Sequence, residues 1–405
     1  MAGLSRTPAL RREEIKLEVG LASALMHSKG HAAPETKACL DRASSLIERA
    51  EALGEPPEDP LLLFSILYGL WVANYGAFNG DVMRELSEQF LALAEKQGTS
   101  SPLMLGHRLM GHSLLNLGKH VDGRTHLDQA IELYDPAEHR PLATRFGQDS
   151  RVTILSRRSM ALWLLGYPEA ALADLDYAVK DAHEVGHAAT LMYALFIASM
   201  TDILCGNCAV ANAEADEVVA LADEKGALVW KAYGMMTQGL LFAVTSKSAH
   251  AVQTLISGIT MYRSVGSKAF LPFFLSYLAS AYADASQFDD AWRCIGEAIT
   301  AVETTKERWC ESDVHRIAGE IALKSPQRDT AKAEAYFERA LAVAREQQAK
   351  SWELRATMSL ARLWRDQDKV QQARELLAPV YGWFTEGFDT LDLKEAKALL
   401  EELAS

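Results

Sequence analysis

Residues 149–186 read DSRVTILSRRSMALWLLGYPEAALADLDYAVKDAHEVG, and this stretch decides the fold. Val152, Leu155, Met160, Leu162, Trp163 and Leu165 lay an apolar face along a helix that stops at Gly166. Pro168 then opens a second helix, because a first turn needs no N–H from proline. Its packed stripe of Ala170, Ala171, Leu172, Leu175, Ala178 and Ala182 runs to Gly186, placed as a helix C-cap. The alanines let the paired helices approach closely, while leucine and tryptophan fill the space between successive hairpins.

The unit recurs. Gly186, Gly226 and Gly266 repeat every 40 residues, and Gly166 and Gly206 keep the same interval half a period out of step. A fixed period of this size marks a solenoid of stacked helical hairpins. The spacing predicts further hairpins over 188–226, 227–266, 267–307, 308–349 and 350–386, and upstream over 11–54, 60–98 and 101–135, nine with the one quoted. An amphipathic helix over 391–403 follows, in position to cap the last hairpin. The expected fold is therefore all-α, a right-handed superhelical solenoid. Its expected divisions are a tail over 1–10, hairpins over 11–140, 40-residue-period hairpins over 141–390 and a capping helix over 391–405. The interruptions at 136–148 and at Pro56, Pro57 and Pro60 read as long loops within one array, with a two-domain break near residue 140 as the alternative.

Of 405 residues, 49% are hydrophobic and 23% charged, enough for a sizeable core. A net charge of −13 disfavours nucleic acid and anionic membranes, which attract basic surfaces. No uninterrupted apolar run reaches membrane-spanning length, and residues 1–12 lack a signal-peptide pattern. Five scattered cysteines suit reduced thiols, so the expected location is cytoplasmic.

The phrase Leu165-Gly166-Tyr167-Pro168-Glu169-Ala170-Ala171-Leu172 resembles a tetratricopeptide turn, on a longer unit like that of the superhelical sensor domain of the maltose-regulon activator class. Gly147-Gln148-Asp149, the run from Ala161 to Pro168, Glu307-Arg308-Trp309 and the run from Val380 to Thr390 narrow the likeness. Together they resemble the C-terminal repeat region of large bacterial proteins with a class III adenylate/guanylate cyclase domain and a P-loop ATPase domain ahead of it. The resemblance spans about Leu17 to Leu403. It implies a sensor or regulatory role, but the family's catalytic parts have no counterpart here. Gly111 and Gly118-Lys119-His120 depart from the phosphate-loop spacing and lack its Ser/Thr, and no cyclase domain fits ahead of the repeats. The chain is then a stand-alone repeat protein or an excised domain.

Several motifs suggest chemistry. His183-Glu184-Val185-Gly186-His187 matches the zinc-protease pattern H-E-x-x-H, with Glu214 or Glu217 a third ligand by distance alone. The repeat register, however, puts Gly186 at a helix end, and the motif needs one continuous helix. Cys205-Gly206-Asn207-Cys208 lacks a second cysteine pair and a preceding strand, so it reads as a repeat turn with Cys208 at a helix start. His107, His112, His120 and His126 crowd one hairpin without sharing a helix face. Asp289, Asp290, Glu401 and Glu402 read as solvated helix ends. No catalytic, cofactor-binding or metal-ligating residue is assigned, and no enzymatic activity or cofactor is expected.

The first helix of each hairpin lines the concave side of such superhelices. These helices carry Tyr68, Trp71 and Tyr75, then Arg157, Arg158, Tyr193, Asp202, Trp230, Tyr233 and Gln238, then Phe270, Tyr277, His315, Arg316, Trp352 and Arg355. The expected groove residues are Tyr193, Tyr233, Arg158, Arg157, Arg316, Tyr277, Gln238 and Asp202, with Trp71, Trp163, Trp230, Trp309 and Trp352 assigned to the core between repeats. Aromatics interleaved with arginines suit a protein segment, a peptide or a small effector as partner. The sequence sets no oligomeric state.

Overall fold

A computed structural model describes residues 7–29, 34–55 and 59–404. Pro56 and Pro57, and the first six residues of the expected tail, lie outside the described residues. The chain forms helical pairs throughout. They are α1 (Pro8–Lys29) with α2 (Pro34–Ala52), α3 (Leu62–Ala77) with α4 (Gly80–Gln97), and α5 (Ser100–Asn116) with α6 (His120–Glu132). Two single-turn helices, α7 (Pro136–His139) and α8 (Ala143–Phe146), then occupy the longest interruption. Six more pairs and a last helix follow: α9 (Ser150–Leu164) with α10 (Pro168–Val185), α11 (Ala188–Cys205) with α12 (Cys208–Lys225), α13 (Leu228–Val244) with α14 (Ser248–Ser264), α15 (Leu271–Asp284) with α16 (Phe288–Thr305), α17 (Glu311–Lys324) with α18 (Thr330–Glu346), α19 (Lys350–Arg365) with α20 (Val370–Tyr381), and α21 (Leu391–Glu402). Among the described residues this is an all-α solenoid of nine hairpins and a terminal helix. The first helix begins at Pro8, three residues before the expected start.

All five marker glycines have positive φ, from 65° to 90°. The same left-handed conformation continues the 40-residue beat at Ser246, Ser286 and Lys306, where no glycine announces it. A left-handed residue at a helix end lets its own or the following N–H bond back to the last carbonyls, as Gly226 and Ala227 do on α12.

The superhelix closes tightly on itself. Lys268 donates its backbone N–H to Gly76 at 2.8 Å, Arg308 donates to Asn116 at 2.8 Å, and the Ser351 hydroxyl donates to the Trp163 carbonyl, 188 residues away. Each bond joins the end of one first helix to the start of another a superhelical turn later. For this reason α15 and α17 begin late, at Leu271 and Glu311: the residues ahead of them are occupied by the preceding turn. Phe270, Trp309 and Trp352 are fully buried there, Trp352 edge-on to Trp163 at 4.7 Å. Burying each such ring contributes about 1.5–3 kcal/mol.

The stretches 161–168, 307–309 and 380–390 sit in these seams. Trp383 packs on Tyr167 at 5.7 Å. Glu386 accepts the N–H of Ala170 at 3.0 Å, and Glu169 accepts that of Gly387 at 2.7 Å.

Among the described residues one helix, α11 (Ala188–Cys205), is long and apolar enough to cross a membrane, with mean hydropathy 1.6, although polar residues interrupt its apolar run. The fold buries 83% of it, which is the pattern of a core helix.

Candidate ligand cavity

The concave side of the first superhelical turn encloses a cavity of about 450 Å³. Helical spacing brings each wall into line. From α3 come Tyr68, Trp71, Val72 and Tyr75; from α5, Arg108 and His112 one turn apart; from α11, Met192, Tyr193 and Phe196; from α13, Trp230 and Tyr233. The segment 144–148 and the α12–α13 turn at Gly226 close the rim.

Buried hydrogen bonds hold the floor. Arg157 is 1% exposed and donates from Nε to the Tyr193 hydroxyl at 2.7 Å and from Nη2 to that of Tyr75 at 2.6 Å. Its guanidinium also faces the ring of Phe270 at 5.1 Å. The Tyr233 and Tyr262 hydroxyls meet at 2.5 Å. Burial pushes the hydroxyls of Tyr75, Tyr193, Tyr233 and Tyr262 upward, so all four stay neutral. Trp71 donates its indole N–H to Ser113 at 2.9 Å, and the rings of Trp71 and Tyr75 flank His112 at 5.0 and 4.9 Å. Burial first, then the charges of Arg157 and Arg108, push His112 far below the usual histidine range.

Of the eight expected groove residues, Tyr193 and Tyr233 line this cavity. The other six lie elsewhere. Arg157 supports the floor from behind the tyrosines. Arg158 clamps Asp174 at 2.7 Å and reaches Asp128 at 3.2 Å. Arg316 is held by Asp313 and Glu320, at 2.6 and 2.5 Å. Tyr277 donates to Asp313 at 3.0 Å, Gln238 to Asp216 at 2.7 Å, and Asp202 accepts from Asn207 at 2.8 Å. Four of the five expected core tryptophans are buried, Trp71 lining the cavity as well, whereas Trp230 is partly exposed and lines it. Arg108 and His112 were missed as cavity residues. Their i, i+4 spacing on an apolar first helix was the available signal.

The other motifs resolve locally. Gly186 has φ 65°, so His183 ends α10 while His187 precedes α11, and the two histidines occupy different helices. His183 instead approaches Glu217 at 3.8 Å. Cys205 ends α11 and Cys208 begins α12, both free thiols. His107 and His126, from α5 and α6, meet at 2.9 Å through their Nδ1 atoms.

No protein-family model matches the chain. It is 24% identical over 261 residues to an uncharacterized protein of Rhizobium meliloti (strain 1021), a match covering 61% of this chain and 24% of that protein. The aligned part of the chain thus spans about a quarter of the curated relative's length. Among solved structures, a Rap protein complexed with competence and sporulation factor superposes with TM-score 0.62 at 11% identity, covering 96% of this chain and 99% of that one. The Rap conjugation gene regulator of plasmid pLS20, in complex with the Phr* peptide, gives 0.52 at 10% identity, with 97% and 96% covered. The apo form of the quorum sensor NprR from B. thuringiensis gives 0.51 at 12% identity, with 91% and 98% covered. These likenesses are of fold: the chain is a tetratricopeptide-like helical repeat solenoid.

Proposed function

We propose that this chain is a non-catalytic recognition module that captures a peptide, a protein segment or a small effector in the cavity of its first superhelical turn. The observation that carries the reading is the cavity itself, walled by Tyr68, Trp71, Tyr193 and Trp230 on a frame whose floor is already hydrogen-bonded. Such a site loses little freedom when it binds. Two structures of similar fold hold competence and sporulation factor and a Phr* peptide. Ala189, on the first turn of α11, lines the cavity, so Ala189→Trp narrows it while leaving the floor residues Arg157, Tyr75 and Tyr193 unchanged. Native mass spectrometry after incubation with short peptides and small metabolites should show a retained ligand that this variant loses. Equal retention by the two proteins would overturn the reading.

The finer alternative, a regulatory region serving an adenylate/guanylate cyclase or a signalling ATPase, rests on the sequence resemblance alone. A neighbouring reading frame encoding a cyclase or P-loop domain would favour it. We propose a cytoplasmic location for the module, a reading that the scattered free thiols support.

A further inference from the structure

The cavity is opposite in sign to the molecule that surrounds it. The chain carries 54 acidic residues and a net charge of −13, yet no Asp or Glu lines the cavity among the described residues, while Arg108, Arg145 and Lys225 do. Two of these three cations are matched, Arg145 by Asp59 at 2.5 Å and Lys225 by Glu224 at 2.8 Å.

Arg108 is not. It is 5% exposed, and its Nη1 donates to the hydroxyls of Ser150 and Thr153 at 3.1 and 3.2 Å, with the guanidinium 5.3 Å from the Tyr68 ring centre. No carboxylate of the described residues lies within ion-pair distance. Its Nε and Nη2, the edge that meets a carboxylate through two parallel bonds, have no hydrogen-bond partner among the described residues. One helical turn away His112, also more than nine-tenths buried, lines the cavity with Nε2 unpartnered. Behind them Arg157 is a second buried guanidinium that donates to tyrosine hydroxyls; among the described residues no carboxylate reaches ion-pair distance of it, Glu307 lying only near enough to feel its charge. A buried charge without a paired carboxylate is costly, and here two sit beside one largely apolar cavity.

We propose that the cavity is a carboxylate site: Arg108 grips the carboxylate through Nε and Nη2, His112 one turn away adds a third contact, and the ligand's apolar body lies against Tyr68, Trp71, Tyr193 and Trp230. The carboxylate belongs either to a free organic acid or to a peptide's C-terminus or acidic side chain. The proposal rests on the reading of this cavity as a ligand site.

The test is a titration followed by calorimetry and tryptophan fluorescence. One arm uses aromatic and aliphatic monocarboxylic acids with their amides. The other uses N-acetylated apolar tripeptides made as free acids and as amides. Free acids should bind at least tenfold more tightly than their amides, and the tighter series identifies the source. Arg108→Gln should abolish the preference. Arg108→Lys should keep part of it, since an ammonium supplies charge without the fork, and thermal melts establish that both variants fold. Equal affinity for acid and amide, or a preference that survives in Arg108→Gln, overturns the carboxylate site while leaving the cavity reading intact. Absence of binding across both series at millimolar concentration overturns both.

Discussion

Gly387 has no room for a side chain. Its φ is 75°, and a Cβ there would lie 2.1 Å from the Pro168 ring. Gly186 has the same left-handed conformation, but a Cβ meets nothing within 4 Å. Gly186→Ala should therefore cost about 1 kcal/mol, the conformational term alone. Gly387→Ala should cost clearly more, because the seam between Pro168 and Gly387 must open. Urea denaturation of both variants checks this, and equal losses would reject the seam. Gly226→Val, also in open space, should cost about 1–2 kcal/mol and raise hydrogen exchange over residues 215–240. A parent-like melt with unchanged exchange would refute the left-handed cap. The five glycines made the register legible, whereas Ser246, Ser286 and Lys306 hid it, because a non-glycine residue tolerates this conformation at modest cost. At His183 and His187 the separate helices predict that added zinc leaves the melting temperature unchanged, and that His183→Ala does the same. A zinc-dependent rise lost in that variant would contradict the turn.

At the scale of elements, α21 illustrates how a terminal helix closes a stack. Leu393, Ala396, Leu399 and Leu403 bury against Leu354, Met358, Leu377 and Val380. Asp392 pairs with Arg355 at 2.8 Å and Glu395 with Arg362 at 2.7 Å. Deleting residues 391–405 should expose the apolar face of α19 and α20 and cause self-association, visible by light scattering after gel filtration, while the central hairpins keep their exchange protection. A monomeric deletion variant with parental melting would count against the cap. Leu376, next to Leu377 on α20, does not join that covered face. It packs instead against the neighbouring core cluster that contains Phe337, Leu341 and Leu363, since adjacent helical residues point about 100° apart.

Across the whole molecule, the contact between superhelical turns creates a buried acid. Glu307 accepts the N–H of Phe270 at 2.8 Å and the indole N–H of Trp309 at 3.0 Å, with its other oxygen unpartnered. Burial pushes its pKa up to about 7, against the pull of those two donors and of the Arg157 charge. The folded state therefore holds this proton more tightly than the unfolded chain. The stability it contributes is fully present below the usual carboxylate pKa and is lost as pH rises through about 7. A shift of this size corresponds to about 3 kcal/mol. Glu307→Gln keeps an acceptor without the titration, so it should be more stable than the parent at pH 8 and not at pH 4. Parallel stability–pH curves for the two proteins would dismiss the effect.

Local chemistry was enough for much of this. Apolar spacing at helical period, Pro168 at a first turn and glycines at left-handed caps act within a few residues, so the sequence alone determined nine hairpins, their 40-residue beat and the fold class. What each first helix does with its inner face was not local. Arg157, Phe270 and Arg355 have the same standing in the repeat as Tyr193 and Trp230, yet they do not line the cavity: Arg157 lies beneath Tyr75 and Tyr193, Phe270 against Trp309, and Arg355 against Trp163 and the Leu204 carbonyl. Those partners are supplied by other repeats, many of them by the next superhelical turn. Only the closure of that turn decided which aromatics and arginines became seam and which, like Trp230 and Arg108, were left facing a cavity.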